Sequence, residues 1–349
     1  VCEELESRQI RAEYWTASPD DPALSQNYSS VTCRFIGEGN KAFARLNLMN
    51  AAICLATTPG LDVLQWKRSK NVDWYVHIYH AVGDNLGYRM FALDYYDAVL
   101  ETGDVQTRGV RTLERLRGLP AKELTIVGSP ALDEMKRKKD RMEKNLYHKT
   151  TILCAPSWGD SSILNRFGRE FIRALLDTGY QIVIRPHPQS VTSEKELLDA
   201  VMAEFPESEQ LKGNYDNDNF QVLSEADLMI SDYSGVMFDY AFIFDKPIMY
   251  ADVSIDRAPY DSAWVDYVPW TLDVLSRLGK VIEPSDLGRM KEVVDEVMSS
   301  DFYREGRRQA KEEAWAYRGH AAERTVTYLE TKLKERNIDY RAEESEQPC

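Results

Sequence analysis

A chain of 349 residues, 43% hydrophobic and 29% charged, has the composition of a globular protein of about two domains, which excludes fibrous and largely disordered classes. Its 43 Lys and Arg against 57 Asp and Glu give a net charge of -14, so nucleic acid is not an expected partner and any bound phosphate needs a local site. The longest apolar run, Ala51 to Ala56, is far short of the roughly 18 residues of a membrane span.

The cysteines, Cys2, Cys33, Cys54, Cys154 and Cys349, are scattered without CxxC spacing or a neighbouring His cluster. They indicate neither a disulfide framework nor a zinc site, and imply a reducing, cytoplasmic location. The chain opens at Val1 rather than Met and shows no signal-peptide pattern, so a preceding targeting or anchoring segment is not readable from it.

The start of the chain is polar and turn-rich, with a loop from Ala17 to Pro22. A strand–helix rhythm follows. The spacing predicts a strand at Val31 to Ile36, a helix at Lys41 to Asn50 and strands at Ala51 to Ala56 and Trp74 to Tyr79. A helix at Gly87 to Tyr95, a strand at Asp97 to Glu101, a helix at Val105 to Leu116 and a strand at Leu124 to Val127 come next. The charge run Lys136 to Lys144 reads as a solvated helix or linker, with a membrane-surface or polyanion contact as the alternative.

The rhythm restarts with strands at Thr151 to Ala155, Gln181 to Arg185, Phe220 to Leu223, Leu228 to Ile230 and Pro247 to Tyr250. Helices are expected at Ile163 to Leu176, Glu194 to Glu204 and Val236 to Phe244. Alternation of this kind implies parallel sheets covered on both faces, in an α/β architecture of two Rossmann-like lobes facing a cleft. The expected divisions are residues 1–148, 149–302 and 303–349, the last being helices that strap back to the first lobe, ending in a frayed tail from Glu343 to Cys349.

Ligands of such sheets bind beyond the carboxyl ends of strands, so the residues just after each strand are the candidates. In Leu228 to Ala241 a strand runs through Ser231, Asp232, Ser234 and Gly235 into an apolar helix, an arrangement suited to a phosphate or, without ligand, to an ordinary N-cap. In Arg185-Pro186-His187-Pro188 two prolines restrict the backbone around two phosphate-capable donors, or make a purely structural turn. In His77 to Asp84, His77 alternates with Tyr75 and Tyr79 inside the strand and reads as core, whereas His80 at its end is the better general base, paired with Asp84 or another carboxylate. Pro156-Ser157-Trp158-Gly159-Asp160 follows another strand, and Gly128-Ser129-Pro130 with Asp133 reads as a strand-to-helix cap.

Together these loops resemble the CDP-glycerol glycerophosphotransferase family, the teichoic-acid and capsule polymerases and primases of GT-B-like fold. Ser231-Asp-Tyr-Ser-Gly-Val-Met-Phe-Asp-Tyr-Ala241, with Lys246-Pro247 after it, resembles that family's Thr-Asp-Tyr-Ser-Ser…Phe-Asp-Tyr-Ala…Lys-Pro signature. Arg185 to Pro188 looks like its basic His-Pro motif, Ile152 to Trp158 like its Ala-Pro-Thr-Trp segment, and Gly128 to Asp133 like its Gly-x-Pro-x-x-Asp turn. The resemblance covers about residues 72 to 252.

The resemblance implies that His80 is the base and His187 a second catalytic group. It implies that Arg185, His187, Ser231, Asp232, Ser234 and Gly235 hold the donor pyrophosphate, and that Pro156, Ser157, Trp158 and Gly128 line the nucleotide cleft. It makes 1–148 the acceptor-side lobe and 149–302 the donor lobe. Three departures stand out: His80 lies in Tyr-His-Ala-Val rather than Trp-His-Gly-Thr, Gly235 replaces a Ser, and Gly159 stands where the family usually has Arg.

The implied reaction moves glycerol phosphate from CDP-glycerol, or another CDP-alditol, to an acceptor hydroxyl, releasing CMP. The implied acceptor is lipid-linked or polymeric, with peripheral contact at the inner face of the cell membrane. No cofactor is implied, and no carboxylate cluster with metal-ligand spacing is present in the sequence. Two other classes fit the same lobes: a GT-B glycosyltransferase using a nucleotide sugar, and a catalytically silent nucleotide-binding module.

Overall fold

The computed structural model describes residues 1–143, 149–159, 162–216, 218–232, 234–251 and 256–341. The tail from Glu343, Lys144 of the charge run, and Asp160 and Tyr233 of two motifs lie outside them. The chain divides into two units: Val1–Asp133, Ala258–Tyr267 and Trp315–Cys349 form one, Glu134–Arg257 and Val268–Ala314 the other. The sequence-based divisions at 148/149 and 302/303 therefore shift. The first crossing falls inside the helix Pro130–Asp140, whose first turn is anchored in the first unit by Asp133, and the last lies between two helices, Asp301–Ala314 and Ala321–Glu335. The excursion Ala258–Tyr267 into the first unit has no signal in local periodicity.

The first unit has a parallel two-stranded ladder of β1 (Ala12–Thr16) and β2 (Val31–Phe35). Its parallel four-stranded sheet is built in chain order from β3 (Asn50–Ala56), β4 (Asn71–Ile78), β5 (Ala98–Glu101) and β6 (Glu123–Ile126). Successive side chains of β4 alternate between faces. Val76 and Ile78 join Leu5, Ile10, Leu100, Val326 and Leu329 on one side, and Tyr75 and Tyr79 join Leu61, Trp66, Tyr96 and Val99 on the other. Both faces are thus covered, as a parallel sheet requires.

The second unit has six parallel strands: β7 (Thr151–Ala155), β8 (Gln181–Ile184), β9 (Leu211–Gly213), β10 (Leu228–Ser231), β11 (Ile248–Ala251) and β12 (Gly279–Ile282). They lie in the order β12-β11-β10-β7-β8-β9. The connections leave β7 in one direction and β10 in the other, so the space beyond the carboxyl ends of these two neighbours is the topological switch point. Its core is close to fully apolar, with Ile152, Leu153, Phe171, Ile172, Leu228 and Ile230 completely buried. Each contributes about 1.5–3 kcal/mol on transfer from water.

Most predicted elements are present, with five differences. Gly87–Tyr95 is not a helix: Asp84 caps the short 3-10 turn Asn85–Gly87, and Phe91 then takes a left-handed φ of 67°, which ends any helical run. Phe220 to Leu223 is the helix Phe220–Glu225 rather than a strand, because Asp218 accepts from Phe220 N at 2.9 Å and the Lys246 ammonium donates to the Ser224 carbonyl at 3.0 Å, serving both ends. The helix from Val236 becomes a π-turn over Tyr240–Phe244. The polar start of the chain holds a helix, Cys2–Ser7, and β1, while β9 and β12 are short outer strands without a clear sequence pattern. Among the described residues no helix is long and apolar enough to cross a membrane.

Candidate functional site

In the second unit the residues after β7 and β10 meet at the switch point. Ser231 closes β10 fully buried, its hydroxyl donating to the Ala155 carbonyl at 2.6 Å across the ladder. Asp232, 1% exposed, accepts from Ser157 N at 2.8 Å on one carboxylate oxygen and from Ile163 N at 2.9 Å on the other. One carboxylate therefore fixes both ends of the loop that carries Trp158. Ser231 and Asp232, expected among the residues that hold the donor pyrophosphate, direct their side chains at backbone and hold the loop's shape. Ser234 is half-buried and Gly235 exposed at the start of the following helix, and nothing lies within 4 Å of a Cβ added to Gly235. A serine would also fit there, and nothing in the structure explains the departure from the family pattern.

Pro156 is buried, Ser157 half-buried and Trp158 exposed. Gly159 has φ +94°, a conformation L side chains rarely adopt, and its N–H donates to Glu194 Oε1 at 3.0 Å. That backbone explains a glycine where the family usually carries Arg. Asp239, half-buried at the end of the helix Val236–Asp239, has its carboxyl pushed up to about 6 by desolvation.

Beyond β8, Arg185 donates through Nη1 to Asn214 Oδ1 and through Nη2 to the Asp216 carbonyl at 2.7 Å. Two contacts hold the guanidinium while leaving part of its five-donor fork free for an anion. His187 is exposed and caps the helix Pro188–Ser193, with Nδ1 accepting from Gln189 N at 3.1 Å. In the neutral ring the proton then resides on Nε2, so His187 presents a donor outward.

In the first unit His80 follows β4 and is exposed; its Nδ1 lies 3.3 Å from the Thr57 carbonyl. A carbonyl only accepts, so Nδ1 carries the proton and Nε2 is left as a base. Asp84 caps the following turn, its Oδ1 accepting from Leu86 N at 3.0 Å. The two histidines thus have opposite tautomers, one a proton acceptor and the other a donor.

His77 is fully buried, with Tyr79, Tyr88 and Tyr96 edge-on to its ring, and burial pushes its pKa down to about 3. It belongs to the core as its alternation predicts. Gly128 is placed away from any open surface: a Cβ there would meet the Ala316 carbonyl oxygen at 2.5 Å, with φ at +92°. Asp133 of the same turn accepts from Trp315 Nε1 at 3.0 Å, Gly319 N at 2.8 Å and Ala321 N at 3.0 Å. The Gly-x-Pro-x-x-Asp turn is thus a clasp for the helix Ala321–Glu335.

Residues 94–331 match the family model of CDP-glycerol:poly(glycerophosphate) glycerophosphotransferases. The chain belongs to this family. The match contains the loops of Gly128, Ser157, Arg185, His187 and Ser231 to Gly235, and begins after His80 and Asp84. A sequence search of curated proteins gave no match. A solved structure of the wall teichoic acid polymerase TagF, as a variant soaked with CDPG, is similar in fold, with a TM-score of 0.57 and 16% identity over 97% of this chain and 84% of that one. The UDP-GlcNAc 2-epimerase of Methanocaldococcus jannaschii, in complex with UDP-GlcNAc and UDP, has a TM-score of 0.50 at 13% identity over 88% and 85% of the two chains. This glycerophosphotransferase-family chain has the expected α/β, GT-B-like fold.

Sequence reasoning missed Asn214, Asp216 and Glu194, which hold Arg185 and Gly159, and it missed Tyr88 and Glu101 in the first unit. Glu101, 1% exposed at the end of β5, accepts from the Thr107 hydroxyl at 2.6 Å, and desolvation pushes its carboxyl up to about 7. A lone Glu closing an apolar strand was the available signal.

Proposed function

We propose that this protein transfers glycerol phosphate, or a related alditol phosphate, from a CDP-alditol to an acceptor hydroxyl during synthesis of a teichoic-acid or capsule polymer. The family match over residues 94–331 carries the reading, and the fold it shares with TagF supports it. The acceptor oxygen attacks the phosphorus that bears glycerol, and the bond from that phosphorus to the bridging oxygen breaks. CMP leaves with the bonding electrons, and the acceptor's proton passes to His80 Nε2. Arg185 and the Nε2–H of His187 take up charge developing on the pyrophosphate oxygens, while Asp232 holds the Ser157 to Gly159 loop in place. Positioning and electrostatics supply most of the acceleration in phosphoryl transfer. The implied acceptor is lipid-linked or polymeric, which would bring the enzyme to the inner face of the cell membrane.

The test is nucleotide release by the purified protein offered CDP-glycerol, CDP-ribitol or UDP-sugars, with and without a lipid-linked or oligosaccharide acceptor. Acceptor-dependent CMP release is expected, and it is expected to fall by about 10²–10⁴-fold in His80→Ala, the usual contribution of a general base. UDP release from a UDP-sugar would replace this reading with glycosyl transfer. Donor binding without turnover under every condition would identify a silent nucleotide-binding module.

A further inference from the structure

We propose that Tyr88 is a positioning residue for His80, fixing the plane of the imidazole and stabilising its protonated form through a stack of three rings, Tyr79, Tyr88 and His80. This rests on the reading of His80 as the base. Tyr88 is the middle ring, with its centroid 5.9 Å from Tyr79 at an interplanar angle of 16° and 6.0 Å from His80 at 23°. Tyr79 is buried and belongs to the core on one face of the sheet, so the stack ties an exposed imidazole to a rigid support.

The middle ring is itself held through its backbone and its edge. Tyr88 N donates to the Asn85 carbonyl at 3.1 Å, and the Tyr88 carbonyl accepts from Asp261 N at 2.9 Å. Its hydroxyl lies 3.5 Å from His77 Nε2, and the His77 ring meets it edge-on at 5.8 Å. A tyrosine fastened through backbone and ring edge has few rotamers left, so little entropy is lost in keeping the stack.

The chemical effect follows from the ring's quadrupole. An aromatic face attracts a cation over it and has no comparable attraction for the neutral ring, so Tyr88 favours the imidazolium that forms as His80 accepts the acceptor's proton. The other titratable groups around the stack are His77 on the same strand, Asp84 in the following turn, Glu101 from β5 and Asp261 from the 258–267 segment. Burial keeps His77 neutral at working pH and pushes the Tyr88 phenol upward, so neither ring competes for the proton.

The experiment compares Tyr88→Phe, Tyr88→Leu and Tyr88→Met, the last filling the volume without a π face. Each is read by NMR titration of the His80 ring and by pH profiles of CMP release from CDP-glycerol. Tyr88→Phe is expected to match the wild type. Tyr88→Leu and Tyr88→Met are expected to lower the His80 pKa by roughly half a pH unit, with kcat reduced several-fold and the KM for CDP-glycerol unchanged. A His80 titration unmoved in both, or an equal change in Tyr88→Phe, overturns the proposal. The NMR readout needs no turnover, so a His80→Ala variant with full activity would remove the base assignment while the stack is still judged on its own.

Discussion

Replacing Asp232 with Asn separates a positioning role from direct donor contact. The carboxylate is 1% exposed and accepts two backbone N–H groups, from Ser157 and Ile163. Hydrogen bonds to a charged acceptor contribute roughly 1.5–3 kcal/mol each. An amide keeps one oxygen, so one bond survives as a neutral contact of about 1 kcal/mol, while the other N–H faces an NH₂ and is left buried without an acceptor. The net cost is ~3 kcal/mol, assigned to the second unit. For a unit of this size that lowers Tm by roughly 6–12 °C. Differential scanning calorimetry should show a lowered transition, and the CDP-glycerol KM should rise as the Ser157 to Gly159 loop loses its anchor. An unchanged transition with a raised KM would refute this reasoning and make Asp232 a donor ligand.

Three further outcomes follow from the first unit. Glu101 holds a proton to about pH 7 in the folded state against 4.5 ordinarily, so the stability it confers is complete below 4.5 and is lost as pH rises towards 7. Glu101→Gln should therefore be more stable than wild type at pH 8, by up to ~3 kcal/mol, and equal to it at pH 4.5; the same Tm increment at both pH values would count against a buried acid. Arg117, with its side chain 4% exposed, pairs with Asp94 at 2.7 Å and with the fully buried Asp261 at 2.5 Å. Arg117→Met should cost about 3–5 kcal/mol and open the 258–267 segment to limited proteolysis, with Arg117→Met/Asp261→Asn recovering much of the loss. Gly128→Ala should lower Tm through the clash with the Ala316 carbonyl while leaving the CDP-glycerol KM of the folded protein unchanged, whereas a raised KM would return Gly128 to the nucleotide site.

Much of the site was legible because glycine, proline and histidine at strand ends have few roles. Strand-end loops at Ser231, Arg185, Ser157 and His80 were readable from periodicity alone. The roles within them were not. The sequence spacing proposed Asp84 for His80; Asp84 caps its own turn, and Thr57, 23 positions before His80 and just after β3, brings its carbonyl to the imidazole. Gly128 resembled a nucleotide-lining residue and Asp133 a local helix cap, but their partners are the Ala316 carbonyl and Ala321 N at and just before the helix Ala321–Glu335, almost two hundred residues away.

Local chemistry, carried by apolar periodicity and by the turn residues that punctuate it, determined the α/β class, most strand positions and the strand-end loops of the candidate site. Tertiary structure decided which of those loop residues bond to backbone, because one carboxylate or imidazole can serve several partners and the choice depends on groups far along the chain. It also decided that the 258–267 segment joins the first unit, through Asp261 and Arg117, and that Tyr88 comes to rest against His80. Hydrogen-bond and ring partners at such separations leave no periodic trace in a single sequence, since their energy is realised only when the sheet has brought them together.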